Sequence, residues 1–266
     1  MKKDYSKNSN CSKSINMATQ MVFQEDGETT TDERARMWNA VAEYLPLSES
    51  EATSPRVAKK LQTIADVCVQ TKDKKKQGRV LDVGCGIGGS ARILARDYGF
   101  DVLGVSISPA QVQRATDLTP EGLSCRFQVM DALDLQLEDQ QFDGVWSVEA
   151  GPHMPDKQRF ADELLRVLKP GGALAVADWN RRDPRDGALD ARERWVMHQL
   201  LTQWAHPEFA SIPGFQHNLE CSDQRRGLIE TSDWTEATLP SWNDSILEGL
   251  RRPAAVLRLG PPAVLQ

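Results

Sequence analysis

Long apolar runs are missing from this chain of 266 residues: the roughly 18 consecutive apolar residues that a membrane-crossing helix needs occur nowhere. Positive charge is also in deficit. With 32 Lys and Arg against 38 Asp and Glu, the net charge is −6. No global field draws such a chain to a phosphate backbone, which argues against nucleic acid as a partner and for a small-molecule substrate. Histidine is scarce, and His153, His198, His206 and His217 lack a close metal-binding spacing. The five cysteines, Cys11, Cys68, Cys85, Cys125 and Cys221, are scattered, with neither the paired spacing of a zinc site nor the pattern of a disulfide framework. The expectation is no metal and a reducing compartment. The first 20 residues have no apolar core, so they do not read as a secretory signal, and they contain no Arg. That composition suits a disordered tail better than an organelle-targeting segment.

What is present is a hydrophobic content of 40%, enough for one large α/β domain with a real core. The densest signal is residues 80–89, Val-Leu-Asp-Val-Gly-Cys-Gly-Ile-Gly-Gly. Val80, Leu81 and Val83 suit a buried strand. Gly84, Gly86, Gly88 and Gly89 then let the backbone turn sharply and approach a ligand that a Cβ would obstruct. Ser90 to Asp97 reads as a helix, with Ile93 and Leu94 inward and Gly99 at the C-terminal cap. The order strand, Gly-rich turn, helix is that of a nucleotide-binding unit. The next strand, Asp101 to Ser106, decides which nucleotide. A dinucleotide enzyme places Asp or Glu about 20 residues past the glycines, to hold the ribose. Here that strand ends in Ser106, and the acid sits inside the first motif as Asp82. This is the arrangement of S-adenosylmethionine (SAM) enzymes.

From Arg79 onward, strand and helix patterns alternate, which predicts a Rossmann-like, doubly wound, mostly parallel sheet. Strands are expected near 79–83, 101–106, 124–129, 142–147 and 172–178. Helices are expected at 109–117 and at 156–168, the second carrying Phe160, Leu164, Leu165 and Leu168 and stopping at Pro170-Gly171-Gly172. The chain divides into a disordered tail (1–30), N-terminal helices and a basic linker (31–78), a SAM-binding core (79–179), an Arg- and Trp-rich substrate cap (180–230) and a C-terminal piece (231–266). That last piece holds a sixth strand near Leu228 to Leu239. No strand-like run follows to supply a final antiparallel strand.

Six segments carry a family resemblance: LDVGCGIGGSARILARDYGF, GVSISPAQVQRATDLTPEGL, FDGVWSVEAGPHMPDK, ELLRVLKPGGALAVADWN, QWAHPEFAS and DWTEATLPSW. Together, from about residue 79 to 260, they resemble the tocopherol and plastoquinol methyltransferases, and most of all the cyanobacterial type that acts on 2-methyl-6-phytylbenzoquinol. The resemblance implies a class I fold, SAM as cofactor and C-methylation of a prenylated quinol ring. It implies that Asp82, Gly84 and Gly86 cradle the methionine end of SAM, that Ser106 and Gln111 meet the ribose, and that Asp131 accepts from the adenine amino group. Cys85, Gly88, Ala132 and Val148 join the same cofactor set. Two of these roles have local alternatives. Ser108, Pro109 and Gln111 have the spacing of a helix capping box, and Asp131 could be a helix cap.

Ser147 to Met154 follows the fourth strand, and in this fold it faces the reactive methyl group. Glu149 and His153 are its residues with chemistry to offer. A quinol hydroxyl with a pKa near 10 is ionised in only about one molecule in a thousand at pH 7. A positioned base is therefore worth about 10²- to 10⁴-fold. His153, with an unperturbed pKa near 6.5, is one candidate base, and the alternative is a histidine that only orients its loop between Pro152 and Pro155. Trp179, Asn180, Trp195, Trp204, His206, Phe209 and Phe215 are candidates for an aromatic pocket around the ring and prenyl tail. Most are expected to be cap core; Trp179 and Asn180, directly after the fifth strand, are the expected substrate contacts.

Two features depart from the resemblance. The family's arm rich in Trp, Tyr, Gly and His is not recognisable in residues 1–77, and the family continues beyond Gln266. Methylation of an amine or a sterol-like lipid, or a methyltransferase-like domain without turnover, therefore stays open. Residues 245–259 combine apolar positions with Arg251, Arg252 and Arg258, a pattern that suggests peripheral membrane contact by a chain of the cytoplasm or plastid stroma.

Overall fold

The structure, a computed structural model, describes residues 78–203, 206–224, 227–233, 235 and 236. Its five strands are β1 (Arg79–Val83), β2 (Asp101–Ser106), β3 (Cys125–Val129), β4 (Phe142–Val148) and β5 (Leu168–Ala177). All pairings are parallel, in the order β3-β2-β1-β4-β5. The helices are α1 (Gly89–Tyr98), α2 (Pro109–Asp117), α3 (Lys157–Arg166), α4 (Ala191–Gln203) and α5 (Ile212–Cys221). The expected N-terminal helices and the basic linker up to residue 77, Trp204, and the 245–259 element lie outside the described residues. So does most of the expected sixth strand, of which residues 228–233 are not in a strand.

β1 is central because it can be buried on both faces. Leu81 and Val83 enter one apolar cluster with Leu103, Val145, Phe160 and Leu164. Val80 enters another with Ala91, Leu94, Val102 and Trp146. Fully burying each such side chain contributes about 1.5–3 kcal/mol. Asp82 shares the face of Val80 and so meets α1 rather than solvent. The chain leaves β1 for β2 on one side and reaches β4 on the other, so the strand order reverses between β1 and β4. Open parallel sheets bind ligands outside the carboxyl ends of the strands at such a point.

The local signals explain the helix ends. Gly88 (φ 80°) and Gly99 (φ 68°) bracket α1 in left-handed conformations; the Gly99 N–H donates to the Ala95 carbonyl and the Phe100 N–H to the Leu94 carbonyl. Ser108 caps α2, with Pro109 next. The expected boundary between α3 and β5 requires correction. α3 stops at Arg166, and β5 begins at Leu168, four residues earlier than the glycines suggest. Pro170-Gly171-Gly172 is not the helix stop. It sits in a register irregularity inside the strand, with Gly171 at φ 74°, and a Cβ on Gly172 would lie 2.8 Å from the Asp143 carbonyl oxygen.

Beyond β5, the segment expected to form a cap folds back over the carboxyl end of the sheet. Arg181 N–H donates to the Ala210 carbonyl (3.0 Å), and Ser211 Oγ donates to Asp183 Oδ2 (2.7 Å). α5 lies on α3 through Phe160 and Phe215, whose ring centroids are 6.1 Å apart, and through paired hydrogen bonds between Gln158 and Asn218. Cys85 and Cys125 are free thiols.

Candidate active site

A cavity of about 130 Å³ opens at the carboxyl ends of β1, β2 and β4. It brings together residues from four separate stretches of sequence: Gly84 and Gly86, Ser106 and Gln111, Asp131 and Ala132, and Glu149 and His153. Eight of the expected site residues thus meet on one surface. Val105, Ile107, Met130, Ala150 and Met154 complete the wall and were missed by motif reading. Ile107 and Met130 directly follow β2 and β3, so the rule that ligands sit beyond strand ends was the signal that could have found them.

The glycines divide into two jobs. Gly84 and Gly88 are packing glycines: an added Cβ would come within 2.4 Å of Ala150 Cβ and of Phe127, respectively. Gly86 (φ 54°) faces open space, with nothing within 4 Å of its would-be Cβ, on the cavity wall. That is the cradle where a ligand approaches backbone.

Asp82 does not line the cavity. It lies beneath the turn, 1% exposed, accepting from Ser90 Oγ (2.7 Å) and from the Ala91 N–H at the start of α1. Burial pushes its carboxyl up to about 7, although both hydrogen bonds oppose this. It fastens the Gly-rich turn to α1. Cys85 is buried as well, and burial raises its thiol well above the usual range. Val148 packs into the cluster of Trp146 and Leu94 and not into the cavity.

The capping box is only half made. Ser108 Oγ accepts from the Gln111 N–H (3.1 Å), but the Gln111 side chain does not reach back. Instead Ser106 Oγ donates to Gln111 Oε1 (2.7 Å) and accepts from the Ser108 N–H (3.2 Å). Ser106 and Gln111 therefore present a linked polar pair to the cavity. Asp131 caps no helix; its Oδ1 accepts from the Leu133 N–H (3.0 Å) in a turn after β3.

Glu149 is exposed and adopts φ 58°, one of two non-glycine residues with positive φ among those described. Such strain persists where the surroundings enforce it, and here the Glu149 N–H donates to the Ala177 carbonyl (2.9 Å). His153 closes a 3-10 turn, Gly151–His153. Its ring stacks on His206 (centroids 4.4 Å apart) and meets Trp179 edge-on (5.9 Å). Burial, then His206 and Lys157, push its imidazole down to about 3. The ordinary histidine range assumed from sequence does not apply, because a ring held among other rings loses hydration on protonation.

Trp179 and Asn180 fall outside the main cavity and line a small pocket of about 10 Å³ behind the His153 turn. Trp179, His206 and Phe209 pack together with centroids 5.1–5.4 Å apart. Phe215 joins the α3–α5 contact, and Trp195 is 56% exposed. Among the described residues no cluster of His, Cys, Asp or Glu could hold a metal ion.

Residues 81–176 match the family model of a methyltransferase domain. The chain is 60% identical over 181 residues to 2-methyl-6-phytyl-1,4-hydroquinone methyltransferase from Synechocystis sp., covering 68% of this chain and 57% of that relative. It is 30% identical over 202 residues to norajmaline N-methyltransferase from Rauvolfia serpentina, covering 73% of this chain and 67% of that one. The chain belongs to the SAM-dependent methyltransferases. The methyltransferase also shares its fold with the solved geranyl diphosphate C-methyltransferase of Streptomyces coelicolor A3(2), at a TM-score of 0.61 and 22% identity, covering 81% of this chain and 86% of that one. It spans little more than half the length of the Synechocystis relative. The open Gly86 backbone and the polar pair of Ser106 and Gln111 fit SAM, whose methionine end and ribose need close backbone and hydrogen-bonding groups.

Proposed function

We propose that this methyltransferase transfers a methyl group from SAM to a ring carbon of a prenylated benzoquinol. The observation that carries the acceptor class is the 60% identity over 181 residues to the Synechocystis hydroquinone methyltransferase. When bound, SAM supplies a methyl group made electrophilic by the adjacent sulfonium. The chain's own residues do the rest. Gly84 and Gly86 offer backbone to the cofactor, Ser106 and Gln111 bind the ribose hydroxyls, and Asp131 accepts from the adenine amino group. Asp82 holds the turn in shape from below.

Glu149 and His153 share the work on the acceptor. Burial holds the His153 imidazole at about 3, so it is neutral at pH 7. It serves as a hydrogen-bond acceptor that orients the quinol hydroxyl. Glu149, on the cavity wall, would take the hydroxyl proton as the ortho carbon attacks the methyl group and the methyl–sulfur bond breaks; the hydrogen of that ring carbon then leaves as a proton, so that the ring regains its aromaticity and its hydroxyl. Holding that carbon about 3 Å from the methyl group supplies several kcal/mol through orientation. The prenyl tail places the acceptor in a bilayer, so we place the chain at a membrane surface facing the cytoplasm or plastid stroma. No described helix is long and apolar enough to cross one.

The relation to norajmaline N-methyltransferase supports a second reading, an amine acceptor. Transfer of tritiated methyl from SAM to a panel of prenylquinols and amines separates the two. Label in a quinol ring supports the proposal, and label only in amines overturns it.

A further inference from the structure

The 3-10 turn that carries His153 is gripped from behind by two charged side chains that no role in SAM or acceptor binding explains. Lys157, the first residue of α3, donates from Nζ to the Pro152 carbonyl (3.3 Å) and to the Met154 carbonyl, so it bridges the backbone on both sides of His153. Asp178, just past β5, accepts from the Gly151 N–H through Oδ1 (3.3 Å). The fit is close: a Cβ on Gly151 would lie 2.0 Å from Asp178 Oδ2. Both charged residues line the same small pocket behind the turn, and each influences the other's ionisation. The end of β5 and the start of α3 thus converge on three peptide groups of the segment between Ala150 and Pro155.

We propose that Lys157 and Asp178 are positioning residues that fix the Gly151–His153 turn so that the His153 ring faces the methyl acceptor. The inference rests on the reading of His153 as the group that orients the acceptor hydroxyl. The charged and titratable groups around the pair are Asp156, Glu149, Glu208, His153 and His206. The Lys157 ammonium disfavours a second positive charge on the His153 ring. The two opposite charges act on each other across the turn without touching, and each holds the backbone by its own hydrogen bonds. Removing one partner leaves the other charge uncompensated in a poorly hydrated place.

The test uses the full chain with SAM and a prenylquinol, in Lys157→Met, Lys157→Gln, Asp178→Asn, the double variant Lys157→Met/Asp178→Asn, and His153→Ala. Lys157→Met and Asp178→Asn are expected to lower kcat about 10- to 100-fold while the SAM dissociation constant changes less than about twofold. Lys157→Gln keeps an N–H donor for the carbonyls, so it is expected to retain several times the kcat of Lys157→Met, and it serves as the second variant if Lys157→Met does not fold. The double variant is expected to be no slower than the slower single, because the two act through one turn. NMR titration of the His153 ring is expected to give a higher pKa in Lys157→Met than in the wild type, a change that mere packing by Lys157 would not produce. Equal kcat in Lys157→Gln and Lys157→Met, or an unmoved His153 titration, overturns the proposal. Wild-type kcat in His153→Ala overturns the underlying reading of His153 instead. A slow His153→Ala beside fast Lys157 and Asp178 variants overturns the positioning role alone.

Discussion

Gly86 and Gly84 are two residues apart in one turn, yet the structure assigns them opposite failures. A Cβ at Gly86 meets nothing within 4 Å, so Gly86→Ala costs only the strain of φ 54°. That is about 1–2 kcal/mol for a non-glycine residue. For a domain of this size the melting temperature falls by roughly 2–8 °C, and the sheet stays folded. The new methyl group nevertheless stands on the wall where SAM must touch backbone, and SAM affinity is expected to drop at least tenfold, about 1.4 kcal/mol. At Gly84 the Cβ would lie 2.4 Å from Ala150 Cβ, closer than packed carbons approach. Gly84→Ala pays the same strain at φ 77° and adds about 1–3 kcal/mol of overpacking against the loop after β4. Its melting temperature is therefore expected to fall clearly further than that of Gly86→Ala. Isothermal titration with SAM and thermal unfolding by circular dichroism measure both. Unchanged SAM affinity in folded Gly86→Ala would refute the placement of the cofactor, and equal melting temperatures for the two variants would refute the division of the glycines.

Asp82 holds its proton to about pH 7 when folded, and its unfolded value is 3.8. Between those values the native state binds a proton that the unfolded state has released, so stability falls as pH rises from about 4 to 7. Asp82→Asn is expected to flatten the part of the melting-temperature profile between about pH 4 and 7 that Asp178, raised to about 7 for the same reason, does not contribute; a profile as steep as the wild type's would contradict the burial of that carboxyl. Ser106→Ala removes the partner of Gln111 and should weaken SAM binding about three- to thirtyfold at an unchanged fold, as calorimetry would show. His153→Ala should lower kcat more than it weakens SAM binding, because it loses orientation of the acceptor and not cofactor contact. The wild-type kcat profile should show no step near pH 6.5 from His153, because that ring is neutral well below it. Glu149→Gln should lower kcat about 10²-fold or more at pH 7 with little change in acceptor KM; retention of full rate would remove Glu149 from the proton transfer.

The first four strands and the turn after β1 were legible because their signals are local. Apolar runs of five to seven residues end in glycine, serine or an acid, and each expected boundary falls within a residue of the observed one. β5 was misplaced because Pro170-Gly171-Gly172 carries the signature of a helix end. Only pairing with Phe142 shows that Leu168 is already in the sheet. In the site, sequence named the residues that line the cavity but not which way they face. Strand alternation puts Asp82 under α1, and Val148 faces the Trp146 cluster. Whether the Gln111 side chain completes a capping box turned on one rotamer, which the Ser106 hydroxyl decides against. The low basicity of His153 was out of reach, since it comes from His206, more than fifty positions away, and from burial under the cap.

The most direct test of the account is methyl transfer itself. The chain is incubated with SAM labelled in its methyl group and with 2-methyl-6-phytylbenzoquinol, beside an amine panel, and the position of label in the product is read by NMR. The account predicts a new methyl on a ring carbon ortho to a hydroxyl, formed by the wild type and lost in Gly86→Ala. Label on an oxygen or only on an amine nitrogen, or no transfer by a chain that binds SAM, would contradict it.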